Sequence, residues 1–237
     1  MSTQQLPLQF ELAAEQSFSS FYTGNNQEAI AALTATAMGT GERQLFIWGA
    51  AGTGKTHLLQ ACCQLAHQQQ LNAFYLPLSG INPPKPEILE GLDKFDLVCI
   101  DDIADCANHS EWEQALFNFY NRHRDNDHHL ILSAHCPPHL LPIQLPDLKT
   151  RMSWGLTLKL QELTDADCIA AFTCKAKYLG LAISPQVGRF LSKHYARDLA
   201  ALWDLLPKLE QATLVAKRKL TVPFLKEVLL QKNDANE

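Results

Sequence analysis

The most informative stretch of the chain is Gly49-Ala50-Ala51-Gly52-Thr53-Gly54-Lys55-Thr56. It matches G-x-x-x-x-G-K-[ST], the spacing of a loop that binds the phosphates of a nucleoside triphosphate. Glycines let the backbone curl so that its N–H groups point at phosphate oxygens. The lysine adds a positive charge, and the threonine hydroxyl can ligate Mg²⁺. We therefore predict that these eight residues and His57 contact bound ATP or ADP, with Mg²⁺ at Thr56.

The segments on either side of the loop fit this interpretation. Residues 45–48 form an apolar run suited to a buried strand, and residues 57–70 carry apolar side chains at helical spacing. This order places the loop at a helix N-terminus, whose partial positive charge favours phosphate. A chance match to the pattern is the alternative, and the flanking strand and helix disfavour it.

Composition excludes several classes of protein. The 237 residues are 46% hydrophobic and 19% charged, as in ordinary globular proteins. The net charge is -5, so we expect no basic DNA-binding face. We see neither a membrane-spanning apolar run nor a signal peptide in residues 1–10. The seven cysteines include no C-x-x-C pair, which is typical of reduced thiols. These features predict a cytoplasmic protein with no membrane partner and only indirect contact with DNA.

The pattern of elements changes near residue 160. Strands are predicted at residues 45–48, 73–78, 96–100, 129–133 and 155–160, alternating with helices at 27–38, 57–70 and 112–124. Such alternation predicts an α/β fold with a parallel sheet flanked by helices on both sides. Helical spacing then recurs over 164–179, 184–194, 198–215 and 222–230. We expect a flexible arm at 1–17, an α/β nucleotide-binding domain at 18–160 and a helical lid domain at 161–237.

Two acids follow the buried strand at 96–100. Asp101 is placed to hold Mg²⁺ through water, and Asp102 lies where many ATPases carry the acid that polarises the attacking water. A solvated pair of carboxylates is the alternative, which the upstream phosphate loop disfavours. Ser133 ends the next strand, and it either bonds the γ-phosphate or water or simply marks the strand's end.

Two arginines are further candidates. Arg151 lies in a short helical turn, where it is either an exposed helix arginine or one that reaches a nucleotide on a neighbouring molecule. Arg197 opens a lid helix and could contact phosphates or pair on the surface. A zinc site at His135, Cys136 and His139 is disfavoured because paired prolines separate the ligands, so solvated histidines are expected.

These motifs, in this order, resemble the AAA+ ATPase family and, more narrowly, the bacterial replication initiator DnaA. Residues 18–25 resemble its F-x-x-F-x-x-G segment, which implies that Phe21 and Tyr22 line an adenine pocket. Residues 147–155 resemble its L-x-S-R-x-x-W-G segment, which implies that Arg151 is an arginine finger. Residues 196–199 resemble its V-R-E-L element, which implies that Arg197 is the sensor 2 arginine.

The departures from DnaA bear on function. The chain is expected to lack the initiator's basic DNA-binding domain and its N-terminal interaction domain. It instead carries Gln5-Leu6-Pro7-Leu8-Gln9-Phe10, which fits the Q-L-x-L-x-[LF] peptides that bind the β sliding clamp. Gln5, Leu6, Leu8 and Phe10 would then dock on the clamp as an arm that folds on binding. The alternative is a disordered tail that binds no partner.

The whole pattern resembles DnaA homologues that inactivate the initiator. The resemblance implies a negative regulator of replication initiation that joins DNA-loaded clamp and stimulates ATP hydrolysis on DnaA through Arg151 in trans. The alternative is a helicase- or transposase-loader ATPase; a small-molecule kinase is disfavoured because the lid shows no arginine cluster. Intrinsic ATPase activity, the preference for ADP or ATP, a homo-oligomer that hides Arg151 and the role of His135 at the sensor 1 position all stay open.

Overall fold

The computed structural model describes residues 16–79, 85–195, 199–216 and 218–230. The predicted clamp-binding residues Gln5, Leu6, Leu8 and Phe10, and the predicted sensor Arg197, lie outside this part of the chain. The chain divides into two compact units. Among the described residues, the first unit contains 16–18 and 26–160, and the second contains 19–25 and those from 161 onward.

A five-stranded sheet forms the centre of the first unit. Its strands are β1 (Gln44–Trp48), β2 (Ala73–Pro77), β3 (Leu97–Asp101), β4 (His129–Ala134) and β5 (Leu156–Lys159). They lie in the order β2-β3-β4-β1-β5, and every pairing is parallel. The predicted α/β fold with a parallel sheet is confirmed.

Helices cover this sheet. They are α1 (Gln27–Ala37), α2 (Lys55–Gln68), α3 (Ser110–Asp125) and the short α4 (Pro146–Met152). Every residue of β3 and β4 is buried, as expected for strands covered on both faces. Phe46, Ile100 and Leu132 belong to the main apolar cluster, together with Phe119 of α3.

Strand register decides where the site forms. Trp48, the last residue of β1, pairs with Ala134 of β4, and Ile100 of β3 pairs with Leu132 of β4. The carboxyl ends of these three neighbouring strands therefore lie at one edge of the sheet. Ligands bind at this edge in open α/β folds.

The second unit contains four helices within its described residues, namely α5 (Asp165–Tyr178), α6 (Pro185–Tyr195), α7 (Leu199–Ala216) and α8 (Val222–Leu230). Phe172, Leu191, Leu209 and Leu225 are fully buried in their shared core. Thr164 caps α5 in a capping box, since its side chain accepts a bond from the backbone N–H of Asp167.

One local expectation needs correction. Strand β3 is predicted at residues 96–100, but it ends one residue later and includes Asp101. Within the described residues, no helix has the length and apolar character needed to cross a membrane.

Candidate functional site

The phosphate loop joins β1 to α2 with the backbone that its glycines allow. Gly52 and Gly54 have φ values of 80° and 90°, in the left-handed region that side chains disfavour. A Cβ atom at Gly49 would lie 2.9 Å from the carbonyl oxygen of Leu160, so this glycine also permits a close approach. The Thr53 hydroxyl donates to the Ala50 carbonyl oxygen at 2.9 Å and tightens the turn.

Lys55 occupies the first position of α2, directly after the loop. Its Nζ donates to the carbonyl oxygens of Gly49 and Ala50, at 2.9 and 3.1 Å, and the residue is 8% exposed. Its ammonium group therefore lies inside the curve of the loop, bonded to neutral acceptors. A charged group so placed suits the β- and γ-phosphates of a nucleotide.

Asp101 is the centre of the hydrogen-bond network beside the loop. Its Oδ2 accepts from the hydroxyls of Thr56 at 2.7 Å and Tyr75 at 2.9 Å, and its Oδ1 accepts from the Ser133 hydroxyl. Burial, above all, raises the pKa of Tyr75, so its phenol stays protonated and donates. The structure thus joins Thr56 to Asp101, the two residues predicted to hold Mg²⁺, and both offer the oxygen ligands that Mg²⁺ prefers.

Asp102 adopts a left-handed backbone with φ of 55° directly after β3. Its N–H donates to the Ser133 hydroxyl at 2.9 Å. Burial, and then the charge of Asp101, raise the pKa of its carboxyl group, while Lys55 acts in the opposite direction. The predicted pair of acids and Ser133 therefore form one cluster with the phosphate loop.

The other predicted nucleotide contacts have partners of their own. The His57 ring nitrogen Nε2 lies 2.9 Å from the carbonyl oxygen of Ser17. In the second unit, the Tyr22 hydroxyl donates to Asp167 at 2.8 Å, and Phe21 precedes it in the same segment. The adenine-pocket role of Phe21 and Tyr22 and the nucleotide contact of His57 stay predictions.

Arg151, near the end of α4, is surrounded by aromatic rings. Its guanidinium carbon lies 4.3 Å from the ring centre of Phe117, 5.6 Å from that of Trp154 and 5.9 Å from that of Tyr120. Ring faces attract a cation without neutralising it. Its buried Nη1 has no hydrogen-bond partner among the described residues, so the group keeps an unused donor.

Gln44 places Arg151 at the edge of the sheet opposite the phosphate loop. Its side-chain Nε2 donates to the carbonyl oxygens of Arg151, at 3.0 Å, and Met152, at 3.3 Å. Gln44 is the first residue of β1, and Trp48, which precedes the loop, is the last. At a rise of about 3.3 Å per residue, these ends of β1 lie roughly 13 Å apart. The structure therefore does not bring Arg151 to the other predicted catalytic residue, Asp102.

Comparison with protein-family models identifies both parts of the chain. The model of the bacterial DnaA ATPase domain matches residues 12–79 and 85–159. The chain belongs to this family. The model described as "Hda, lid domain" matches residues 165–229. The chain is thus an Hda/DnaA-like AAA+ protein, as the sequence resemblance predicts.

Solved structures share the fold of this DnaA-like chain. Domain III of the Thermotoga maritima replication initiation protein DnaA is 21% identical, with a TM-score of 0.77 over 92% of this chain and 97% of that one. AMPPCP-bound DnaA from Aquifex aeolicus is 19% identical, with a TM-score of 0.72 over 94% and 71%. The Thermotoga maritima RuvB Holliday junction branch migration motor is 18% identical, with a TM-score of 0.61 over 86% and 68%. These identities show the AAA+ fold alone.

The sequence did not reveal three residues with long-range contacts: Tyr75 beside Asp101, Gln44 beside Arg151, and Glu113 on α3, which lies outside the nucleotide site. Tyr75 and Gln44 lie in strands, and their partners are distant in sequence, so nothing local indicated their bonds. Glu113 offered a signal, because it lies on the buried stripe of α3 with Leu116 and Tyr120 at helical spacing. Among the described residues, no group of three His, Cys, Asp or Glu side chains could hold a metal ion.

Proposed function

We propose that the chain is a negative regulator of replication initiation that stimulates ATP hydrolysis on DnaA in trans. The observation that carries this proposal is the position of Arg151. It lies at the edge of the sheet opposite its own phosphate loop, on aromatic rings and with an unused donor. An arginine placed there serves a nucleotide held by another molecule better than its own. In trans, such a group stabilises the charge that develops on the transferred phosphoryl group.

The chain's own nucleotide has a chiefly structural role in this proposal. Residues 49–57 would hold ATP or ADP, and Thr56 and Asp101 would hold Mg²⁺, which would neutralise phosphate charge. The AMPPCP-bound state of DnaA from Aquifex aeolicus supports nucleotide binding by this chain. Arg197 would contribute from the lid as the sensor 2 residue. Two phosphate-loop glycines in the left-handed region and the inward Lys55 fit such a ligand.

The N-terminal arm would direct this activity to replicated DNA. Gln5, Leu6, Leu8 and Phe10 would bind the β sliding clamp, and the clamp would supply the contact with DNA. DnaA bound to ATP would then meet Arg151 on the clamp. A homo-oligomer formed through the same face would cover Arg151 and compete with DnaA.

The Arg151→Ala variant tests the arginine-finger step. Stimulation of DnaA ATP hydrolysis should fall by about 10³-fold or more, because a finger in trans contributes that much in other systems. The chain's own nucleotide affinity should not change, since its phosphate loop lies at the other edge of the sheet. Arg122→Ala is a suitable control, because Arg122 is exposed on α3. Full stimulation by Arg151→Ala would contradict the proposal.

A helicase- or transposase-loader ATPase is the second candidate. The cluster of Lys55, Thr56, Asp101, Asp102 and Ser133 favours it, because a complete set of nucleotide-site residues is consistent with intrinsic hydrolysis. It predicts substantial turnover by the chain alone, stimulated by DNA without clamp and lost in Asp102→Asn. The loader function would be excluded if the chain alone hydrolysed ATP more slowly than DnaA does and if this hydrolysis did not depend on Asp102.

A further inference from the structure

Glu113 is a buried carboxylate on α3 that the nucleotide site does not include. The residue is 3% exposed, and its oxygens accept three backbone N–H groups. The donors are Asn108 at 3.1 Å, Gln144 at 3.0 Å to each oxygen, and Leu145 at 2.7 Å. Hydrogen bonds to a charged acceptor are about twice as strong as neutral ones, so this carboxylate holds two separate loops firmly together.

One of these loops comes from the nucleotide site. Asp102, which follows Asp101 and bonds Ser133, begins the segment, and its carbonyl oxygen accepts from the Asp105 N–H at 3.0 Å. A 3-10 turn, Ile103–Cys106, follows, and its Ile103 and Cys106 side chains are buried in the core. Asn108 then donates to Glu113. A short segment anchored in the core therefore leads from Asp101, the acid predicted to hold magnesium, to Glu113.

The other loop leads into the helix that carries Arg151. Leu145 is the N-cap residue of α4, and Gln144 precedes it. Because Glu113 binds both of their N–H groups, it sets where α4 begins. The Gln144 side chain also donates to the Asn108 side chain at 3.0 Å, which joins the two loops directly. Gln44 of β1 holds the other end of α4 through the carbonyl oxygens of Arg151 and Met152.

We propose that Glu113 is a positioning residue that couples the segment after Asp101 to α4. Through this coupling, the occupancy of the chain's own nucleotide site sets the position of Arg151. The proposal rests on the proposed function only for the role of Arg151, since the coupling itself is a property of this chain. It explains why an adaptor would keep a nucleotide site that it need not use for hydrolysis.

Hydrogen exchange tests the coupling without DnaA. In the wild-type chain, saturating ADP should slow exchange of the amides in residues 144–153 by about tenfold, because ADP stabilises the segment after Asp101 and Glu113 transmits this to the start of α4. In Glu113→Gln this slowing should disappear while ADP affinity stays within about twofold. Glu111→Gln, an exposed neighbour on α3, should behave as wild type. An unchanged response in Glu113→Gln would overturn the proposal.

A second variant covers the case in which Glu113→Gln does not fold. Glu113→Asp keeps the charge but is one methylene shorter, so it should reach fewer of the three N–H groups. It should lose part of the ADP-dependent slowing and lower the maximal stimulation of DnaA without changing the concentration of half-maximal stimulation. A wild-type response on both measures would also overturn the proposal.

Hydrogen exchange of α4 and stimulation of DnaA ATP hydrolysis test the coupling and the proposed function separately. If wild-type chain does not stimulate DnaA at all, yet ADP slows exchange of α4 through Glu113, the coupling stands and the arginine-finger role fails. If Arg151→Ala abolishes stimulation but Glu113→Gln keeps both the exchange response and full stimulation, the finger stands and the coupling fails.

Discussion

Lys55 is buried in the curve of the phosphate loop, where its ammonium bonds only the carbonyl oxygens of Gly49 and Ala50 among the described residues. We expect Lys55→Ala to weaken ADP binding by about 10- to 100-fold, the cost of removing a charged hydrogen-bond partner of a phosphate. Isothermal titration calorimetry measures this change. Lys94→Ala, which removes an exposed lysine from the same unit, should leave the affinity unchanged. Equal affinities of the two variants would contradict the assigned site.

His123 gives the first unit a pH-dependent stability. It is 1% exposed, and its Nε2 has no hydrogen-bond partner among the described residues. Burial, and next the charge of His128, lower its pKa from 6.5 to about 4, while Asp93 and the carbonyl of Phe95 oppose the shift. At pH values below 6.5, the pKa of His123 in the unfolded chain, this side chain is protonated in the unfolded state but stays neutral in the folded state. Stability is therefore full above that pKa and falls as the pH drops toward 4.

The expected loss is about 3 kcal/mol across this interval, from the linkage between pKa and stability. Urea unfolding at several pH values between about 7 and about 4 measures it. In His123→Phe, the free energy of unfolding should change with pH by this much less than in the wild type. In His139→Phe, a change at an exposed position, it should change as in the wild type. The same pH dependence in all three proteins would contradict a buried, neutral His123.

At the scale of elements, Gly155 controls how α4 meets β5. Its φ is 78°, and a Cβ atom there would lie 2.4 Å from the carbonyl oxygen of Gln44. Gly155→Ala should lower the free energy of unfolding by about 3 kcal/mol, from a left-handed backbone and a clash with main chain. Gly91→Ala is the matched control, because Gly91 has φ of 84° with nothing within 4 Å of the added atom. It should cost about 1 kcal/mol.

Urea unfolding of both glycine variants gives these two values. Gly155→Ala should also reduce the stimulation of DnaA, since Gln44 binds the end of α4. Equal losses of stability in the two variants would contradict the prediction, because the added methyl group would then not clash with the Gln44 carbonyl oxygen.

Local sequence patterns predict some elements and contacts of this molecule and miss others. The apolar run before Asp101 and the loop at 49–56 predict a strand and a phosphate site because each pattern is local. The network around Asp101 was only partly predictable, since Tyr75 reaches it through the pairing of β2 with β3. Glu113 lies on an apolar helix stripe, but its partners at Gln144 and Leu145 come from a loop that no local pattern places.

At the scale of the whole molecule, the α/β unit presents two chemistries at opposite edges of one sheet. Hydroxyls and carboxylates gather at the carboxyl ends of β1, β3 and β4, and Arg151 lies where β1 begins. One edge suits a nucleotide of the chain's own, and the other suits a nucleotide of a partner. This separation is the physical basis for proposing a regulator rather than a self-contained ATPase.

ATP hydrolysis by purified DnaA, measured with this chain, the β clamp and DNA each omitted in turn, distinguishes a regulator from an ATPase. We predict that hydrolysis is stimulated only when all components are present. We also predict that stimulation is lost when residues 1–10 are deleted or when Arg151 is replaced by Ala. Hydrolysis that proceeds equally without DnaA and without clamp would rule out the regulator, because the chain would then be an ATPase in its own right.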